Sequence, residues 1–220
     1  MAAGDVTDKL VDQVRSRLGE PSKQGLLDEE IIGYLNFAQR DLAIRLNDAA
    51  VPELTPVVTD NLVASRAAVP ADLQRVRLLT IGANKIPATR WPVPERDAFT
   101  DNIYVAPSDD EPYYWLFFNT TDDAVRFHVE VGDPACVDAY ELHYTKNPTV
   151  MTTDVDPEVN MRWHGLMVDM AVALARCSKG DWGEYDRLRR KYLSRCQKAN
   201  ARYSEQGVIP RDDEPGDVGG

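Results

Sequence analysis

The stretch Asp28–Leu46, DEEIIGYLNFAQRDLAIRL, sets the reading of the whole chain. Ile31, Leu35, Ala38, Leu42 and Leu46 recur at steps of four and three, the period that puts side chains on one face of an α-helix. Asp28 stands where an N-cap belongs, and Glu29 and Glu30 suit the positive end of the helix dipole. Pro52 and Pro56 mark the exit. Upstream, Val6, Leu10, Val14 and Leu18 fall four apart. They predict a first helix over 6–18, with Asp5 or Thr7 as its N-cap and Gly19, Glu20 and Pro21 as its end. The short connection between the two favours an antiparallel hairpin.

Downstream the period changes. From about residue 55 to 150 the helical spacing disappears and Pro70, Pro87, Pro92, Pro94, Pro107 and Pro112 punctuate the chain. LVASRAAVP and LQRVRLLTI read as strands, and Gly82–Asn84 as a turn before Lys85 and Ile86. YYWLFF at 113–118 is a dense aromatic run of the kind strands favour. Thr120–Asp123 reads as a turn. Beyond it Val125, Phe127, Val129 and Val131 alternate, and so do Tyr140, Leu142 and Tyr144. PERDAF, 94–99, reads as one helical turn.

Helix returns after Asn147 and Pro148. Asp156-Pro157-Glu158 has the form of a helix start: a cap, a proline in first position and an acid behind it. Val159, Trp163, Leu166, Met170, Leu174 and Cys177 mark one face, with Gly180 placed to end the helix. Asp181 can cap a last helix whose stripe is Tyr185, Leu188, Tyr192, Cys196, Ala199 and Tyr203, stopped by Gly207 and Pro210. The tail RDDEPGDVGG is acidic and glycine-rich, with too little apolar surface to fold alone.

The expected fold is therefore α+β: a four-helix bundle-like domain, two helices N-terminal and two C-terminal, with an inserted antiparallel β domain. The boundaries read as 1–54 and 150–207 for the helical domain, 55–149 for the insertion, and 208–220 for a flexible tail.

Composition narrows the function. Hydrophobic residues make up 43% of the 220, enough for a packed core, and the net charge is −11. Free nucleic-acid binders are usually basic, because they neutralise phosphates; an acidic chain can surround DNA without gripping it. Cys136, Cys177 and Cys196 are odd in number and far apart, which reads as reduced thiols in a protein made in the cytoplasm. The polar start MAAGDVTDKLVDQV does not read as a signal peptide, and no stretch approaches the ~18 apolar residues of a membrane helix.

Chemistry is sparse. GxGxxG, P-loop, GxSxG and HExxH motifs are absent. His128 and His143 fall on strands read as adjacent and, with Glu130 or Glu141, imitate metal ligands; residues one or two apart on a strand are taken to diverge, so exposed strand histidines are the plainer reading. His164 lies more than three turns from Cys177, and nothing local supports a Cys–His pair. The expectation is no catalytic residue, no metal site, no cofactor and no enzyme.

Charge placement says more. Residues 181–205 hold seven Lys/Arg against four Asp/Glu, a net of +3, so the rest of the chain carries −14. Arg187, Lys191, Arg195, Lys198 and Arg202 recur at steps of 4, 4, 3 and 4 beside the apolar stripe. The plain reading is a solvated side with snorkelling stems. The functional one is a docking edge for an acidic neighbour.

Three stretches resemble the head-to-tail adaptor proteins of tailed bacteriophages. They are VDQVRSRLGEPSKQGLLDEEIIGYLNFAQRDLAIRL, AAVPADLQRVRLLTI and EVNMRWHGLMVDMAVALARCSKGDWGEYDRLRRKYLSRCQKANARYSEQ, in that order. The resemblance implies a structural virion protein at the head–tail junction: a homo-oligomeric ring, commonly of twelve copies, below the portal protein. A tail nozzle or tube protein would sit on its other face, and double-stranded DNA would pass through without specific binding. It implies no membrane partner. The C-terminal segment would reach the portal, with Val208 and Ile209 as the tail's apolar anchors beside the basic residues above. The competing readings are a nucleic-acid-binding module using the basic last helix, an enzyme with an unrecognised site, and another phage assembly part such as a stopper or tail completion protein.

Overall fold

A computed structural model describes residues 4–20, 25–47, 49–63, 66–90, 112–119, 124–130 and 139–206. The chain divides into two compact units: residues 1–54 with 148–220, and residues 55–147.

The first unit contains α1 (Asp5–Leu18), α2 (Asp28–Arg45), α3 (His164–Ser178) and α4 (Trp182–Gln206). The stripes read from the sequence supply its core: Leu10 and Val14 of α1, Ile31, Leu35 and Leu42 of α2, Leu166 and Met170 of α3, Tyr192 and Cys196 of α4. α3 is apolar on nearly every side, with Leu166 through Ala173 all buried. A helix of that kind needs neighbours on every side, and α3 packs against α1, α2 and α4.

The helix ends differ from expectation in an instructive way. Neither Asp5 nor Thr7 caps α1. Its cap position is Gly4, at φ 89°, where a Cβ would overlap the Thr153 carbonyl oxygen. The cap comes from far along the chain: Asp156 Oδ1 accepts from the backbone N–H of Val6 at 2.9 Å and of Thr7 at 3.1 Å, and the Thr7 hydroxyl donates to the Val155 carbonyl. Asp156-Pro157-Glu158 thus does not start a helix. A 3-10 turn, Met161–Trp163, precedes α3, and the Asn160 side chain accepts from its Arg162 N–H. Asp28 does not cap α2 either; it takes Nε and Nη2 of Arg15, at 2.9 and 2.5 Å, and Arg15 is 3% exposed. The α3–α4 joint follows the sequence. Gly180 adopts φ 79°, its N–H bonds the Cys177 carbonyl, and Asp181 Oδ1 accepts from the Glu184 N–H.

The second unit has eight described strands: β1 (Val57–Asn61), β2 (Arg66–Ala68), β3 (Leu73–Ile81), β4 (Ile86–Pro87), β5 (Thr89–Arg90), β6 (Tyr113–Asn119), β7 (Ala124–Glu130) and β8 (Ala139–Lys146). They form two sheets, ordered β1-β8-β3-β4 and β2-β7-β6-β5. Pairing is antiparallel except between β5 and β6, which run parallel. Leu79, Ile81, Tyr140, Leu142 and Tyr144 from one sheet and Tyr114 from the other share a core with Leu62. The alternation of Tyr140, Leu142 and Tyr144 is the inward face of β8. The turn read at 120–123 and the helical turn at 94–99 lie outside the described residues.

A basic groove along the last helix

The groove begins with one carboxylate. Asp169 lies in the middle of apolar α3, its side chain 5% exposed, where a bare charge would be costly. Both oxygens are used: Oδ1 accepts from Arg17 Nη1 in the last turn of α1, and Oδ2 from Arg195 Nη1 on α4. One side chain therefore ties three helices and fixes Arg195 along the face of α4.

Arg195 stands between two depressions. One, of about 340 Å³, is lined by Arg17, Asp169, Arg176, Glu184, Arg187 and Lys191, among others. Glu184 takes Arg187 Nε and Nη2 at 2.7 and 2.5 Å, and that pairing holds the Glu184 carboxyl below its usual range and raises Arg187. The other, of about 600 Å³, has Arg162, Arg195, Lys198 and Arg202 over a floor of Trp163, Leu166, Ala199 and Tyr203. Among the described residues no carboxylate lines it. Arg162 is held firmly. Its guanidinium carbon lies 5.3 Å from the ring centroids of both Trp163 and Tyr203, a cation–π arrangement. Nη1 donates to the Tyr203 hydroxyl at 2.9 Å and Nη2 to the Ala50 carbonyl at 2.7 Å, which also accepts from Trp163 Nε1.

Of the residues singled out in the sequence, Arg187, Lys191 and Arg195 line the first depression, and Arg195, Lys198 and Arg202 the second. Val208 and Ile209 lie outside the described residues. Sequence reasoning missed Arg17, Arg162 and Arg176, which come from α1, the 3-10 turn and α3. A signal was available: a lone aspartate in HGLMVDMAVALARCS requires cationic partners from other helices.

The other titratable groups serve the fold. His128 on β7 and His143 on β8 belong to different sheets, so their strands are not the neighbours that the sequence predicts. Glu141 and His143, two apart on β8, do meet, at 2.6 Å, because alternate residues share a face; that corrects the expected divergence. His164 Nε2 donates to the Val159 carbonyl, and burial pushes its pKa down. Burial pushes the Tyr192 hydroxyl and the Cys196 thiol up, so both stay protonated; Tyr192 donates to Asp41 Oδ2 at 2.7 Å. Among the described residues no three His, Cys, Asp or Glu side chains are placed to hold a metal ion. No described helix is long and apolar enough to cross a membrane.

The helices are thus joined through a buried carboxylate, with a cation-rich groove on their surface. The chain matches the family model described as SU10 adaptor protein over residues 7–215, and it belongs to that family, a class of bacteriophage structural adaptors and not of enzymes. No curated protein matches the chain. Membership implies a place in the virion and contact with other phage head and tail proteins.

Proposed function

We propose that the chain is the repeating subunit of a ring, of twelve copies, that joins the capsid portal to the tail nozzle or tube and surrounds the DNA channel. The observation that carries this reading is the basic groove along α4. A chain of net charge −11 gathers Arg162, Arg195, Lys198 and Arg202 in one place, with no carboxylate lining it among the described residues. Such a surface recruits an acidic segment of a partner, and the charge left elsewhere repels phosphate, as a conduit for DNA requires. In this reading the four helices form a bundle in the ring wall and residues 55–149 a separate module. Contacts between copies are heterologous and close by rotation. The C-terminal region, from the basic side of α4 through Val208 and Ile209, faces the portal, and free subunits stay monomeric until they meet it.

The test replaces Lys198 and Arg202 with glutamate and measures binding to the purified portal of the same phage, with helical content followed by circular dichroism. Affinity is expected to fall at least tenfold with the fold intact. Unchanged affinity overturns the portal-side assignment.

Nucleic-acid binding is a second reading, and the same groove favours it: cations above Trp163 and Tyr203 also suit a phosphate backbone and its bases. Net charge weighs against it. Salt-dependent duplex binding by the free chain, lost in the same double variant, would establish it.

A further inference from the structure

Among the described residues no carboxylate lines the larger depression, and the sequence places an acidic run close behind it. Arg162, Arg195, Lys198 and Arg202 stand together over Trp163 and Tyr203. Of these four, Arg195 alone has a carboxylate partner among the described side chains. Like charges held close repel, and an acidic segment laid among them removes that cost. The aromatic floor adds a place for apolar or proline side chains.

α4 ends at Gln206, and the chain continues as GVIPRDDEPGDVGG, residues 207–220, with one arginine against four acids, a net of −3. Three of those acids are consecutive: Asp212, Asp213 and Glu214. We propose that this acidic triplet occupies the Arg162–Lys198–Arg202 groove of its own chain before any partner arrives.

The lengths agree. Lys198 lies eight residues back along the helix from Gln206, about 12 Å at the helical rise. Asp212 lies six residues beyond Gln206, a reach of up to ~20 Å when extended. Reversal at the helix end requires a residue that tolerates a left-handed backbone, and Gly207 stands there. A short tether gives an effective concentration in the mM range, so even a weak contact is populated in cis. The occupant is thus chosen by charge, length and position. The inference does not need the portal reading; where that reading holds, the portal enters by displacing the tail.

The experiment uses the full-length wild-type chain. A zero-length carbodiimide couples a lysine amine to a carboxylate only when the two are in contact. Isotopically light and heavy chains are mixed and treated at low salt, then digested and weighed. The expected product joins Lys198 to Asp212, Asp213 or Glu214 within chains of one isotope, and it disappears near 1 M salt, where screening acts within about 3 Å. Absence of that product at low salt overturns the proposal. So does a product found equally in mixed-isotope form, which would assign the groove to the tail of another copy. Portal binding is measured on the same preparation. A missing cross-link with intact, Lys198- and Arg202-dependent portal binding retires the tail inference and leaves the adaptor reading standing.

Discussion

Each of the two units is held together internally by its own kind of polar contact. In the helical unit, side chains reach backbone groups more than 100 residues away. Asp156 caps α1, Gln39 accepts from the Glu158 N–H and donates to the Thr149 carbonyl, and Asn36 exchanges two bonds with the backbone of Met151. In the β unit the described side-chain bonds run between neighbouring strands and turns: Lys85–Glu141–His143, Arg77–Thr145 and Tyr144–Asp72. The cause is where each element spends its backbone. A helix bonds its backbone internally and leaves only its ends unsatisfied, so the relation between helices and loops falls to side chains that find those ends. A sheet joins its strands through the backbone itself, and its side chains are left to pair over the surface.

The largest test of this contrast is cavity formation. Leu42 and Leu142 are both 0% exposed, one in each core. Either one changed to alanine should cost about 2–5 kcal/mol in its own unit. On the proposal that the β unit is a separate module, hydrogen exchange should accelerate in residues 55–147 for Leu142→Ala and in α1–α4 for Leu42→Ala. Acceleration in both units from either change would break the contrast.

A smaller effect separates remote from local capping. Asp156→Ala removes the acceptor for two N–H groups of α1 and should cost about 1–2 kcal/mol in urea denaturation; Asp181→Ala, which loses one 3.2 Å bond beside its own helix, should cost about 0.5–1 kcal/mol. Asp156→Asn should recover most of the loss. Equal costs would mean that the long-range cap is no stronger than the short one.

The smallest effect lies on the sheet surface. Lys85 first, and His143 second, hold the Glu141 carboxyl below the usual range. A depressed carboxylate favours the folded state above its ordinary pKa, and the benefit disappears as pH falls through the depressed value. Carboxyl carbon resonances should show Glu141 titrating below the other glutamates, and Lys85→Ala should raise its midpoint more than His143→Ala. The reverse order would invert the roles of the two cations.

Much of this architecture was legible because burial follows period. The stripes of α1, α2 and α4 and the alternation of β8 mark the faces that are buried. What escaped reading had no such signature. β1 is an edge strand, mostly exposed, so Val57 and Val58 sit in no alternation; β5 has two residues. Asp156-Pro157-Glu158 looked local because cap chemistry is the same whether the helix it serves is adjacent or 150 residues away. The groove was half legible: five cations spaced along α4 could be counted, but Arg17, Arg162 and Arg176 join them only once α1, α3 and the turn at Met161–Trp163 are packed.

The remote cap also carries a consequence for synthesis. A ribosome adding ~5–20 residues per second needs roughly 8–30 s to travel from Val6 to Asp156, 150 positions on. Throughout that interval α1 exists without the acceptor that completes its first turn, and without α3, against which it packs. The first helix made is therefore among the last to be finished. A fragment released early would present an α1 that lacks both its cap and the cover that α3 gives it.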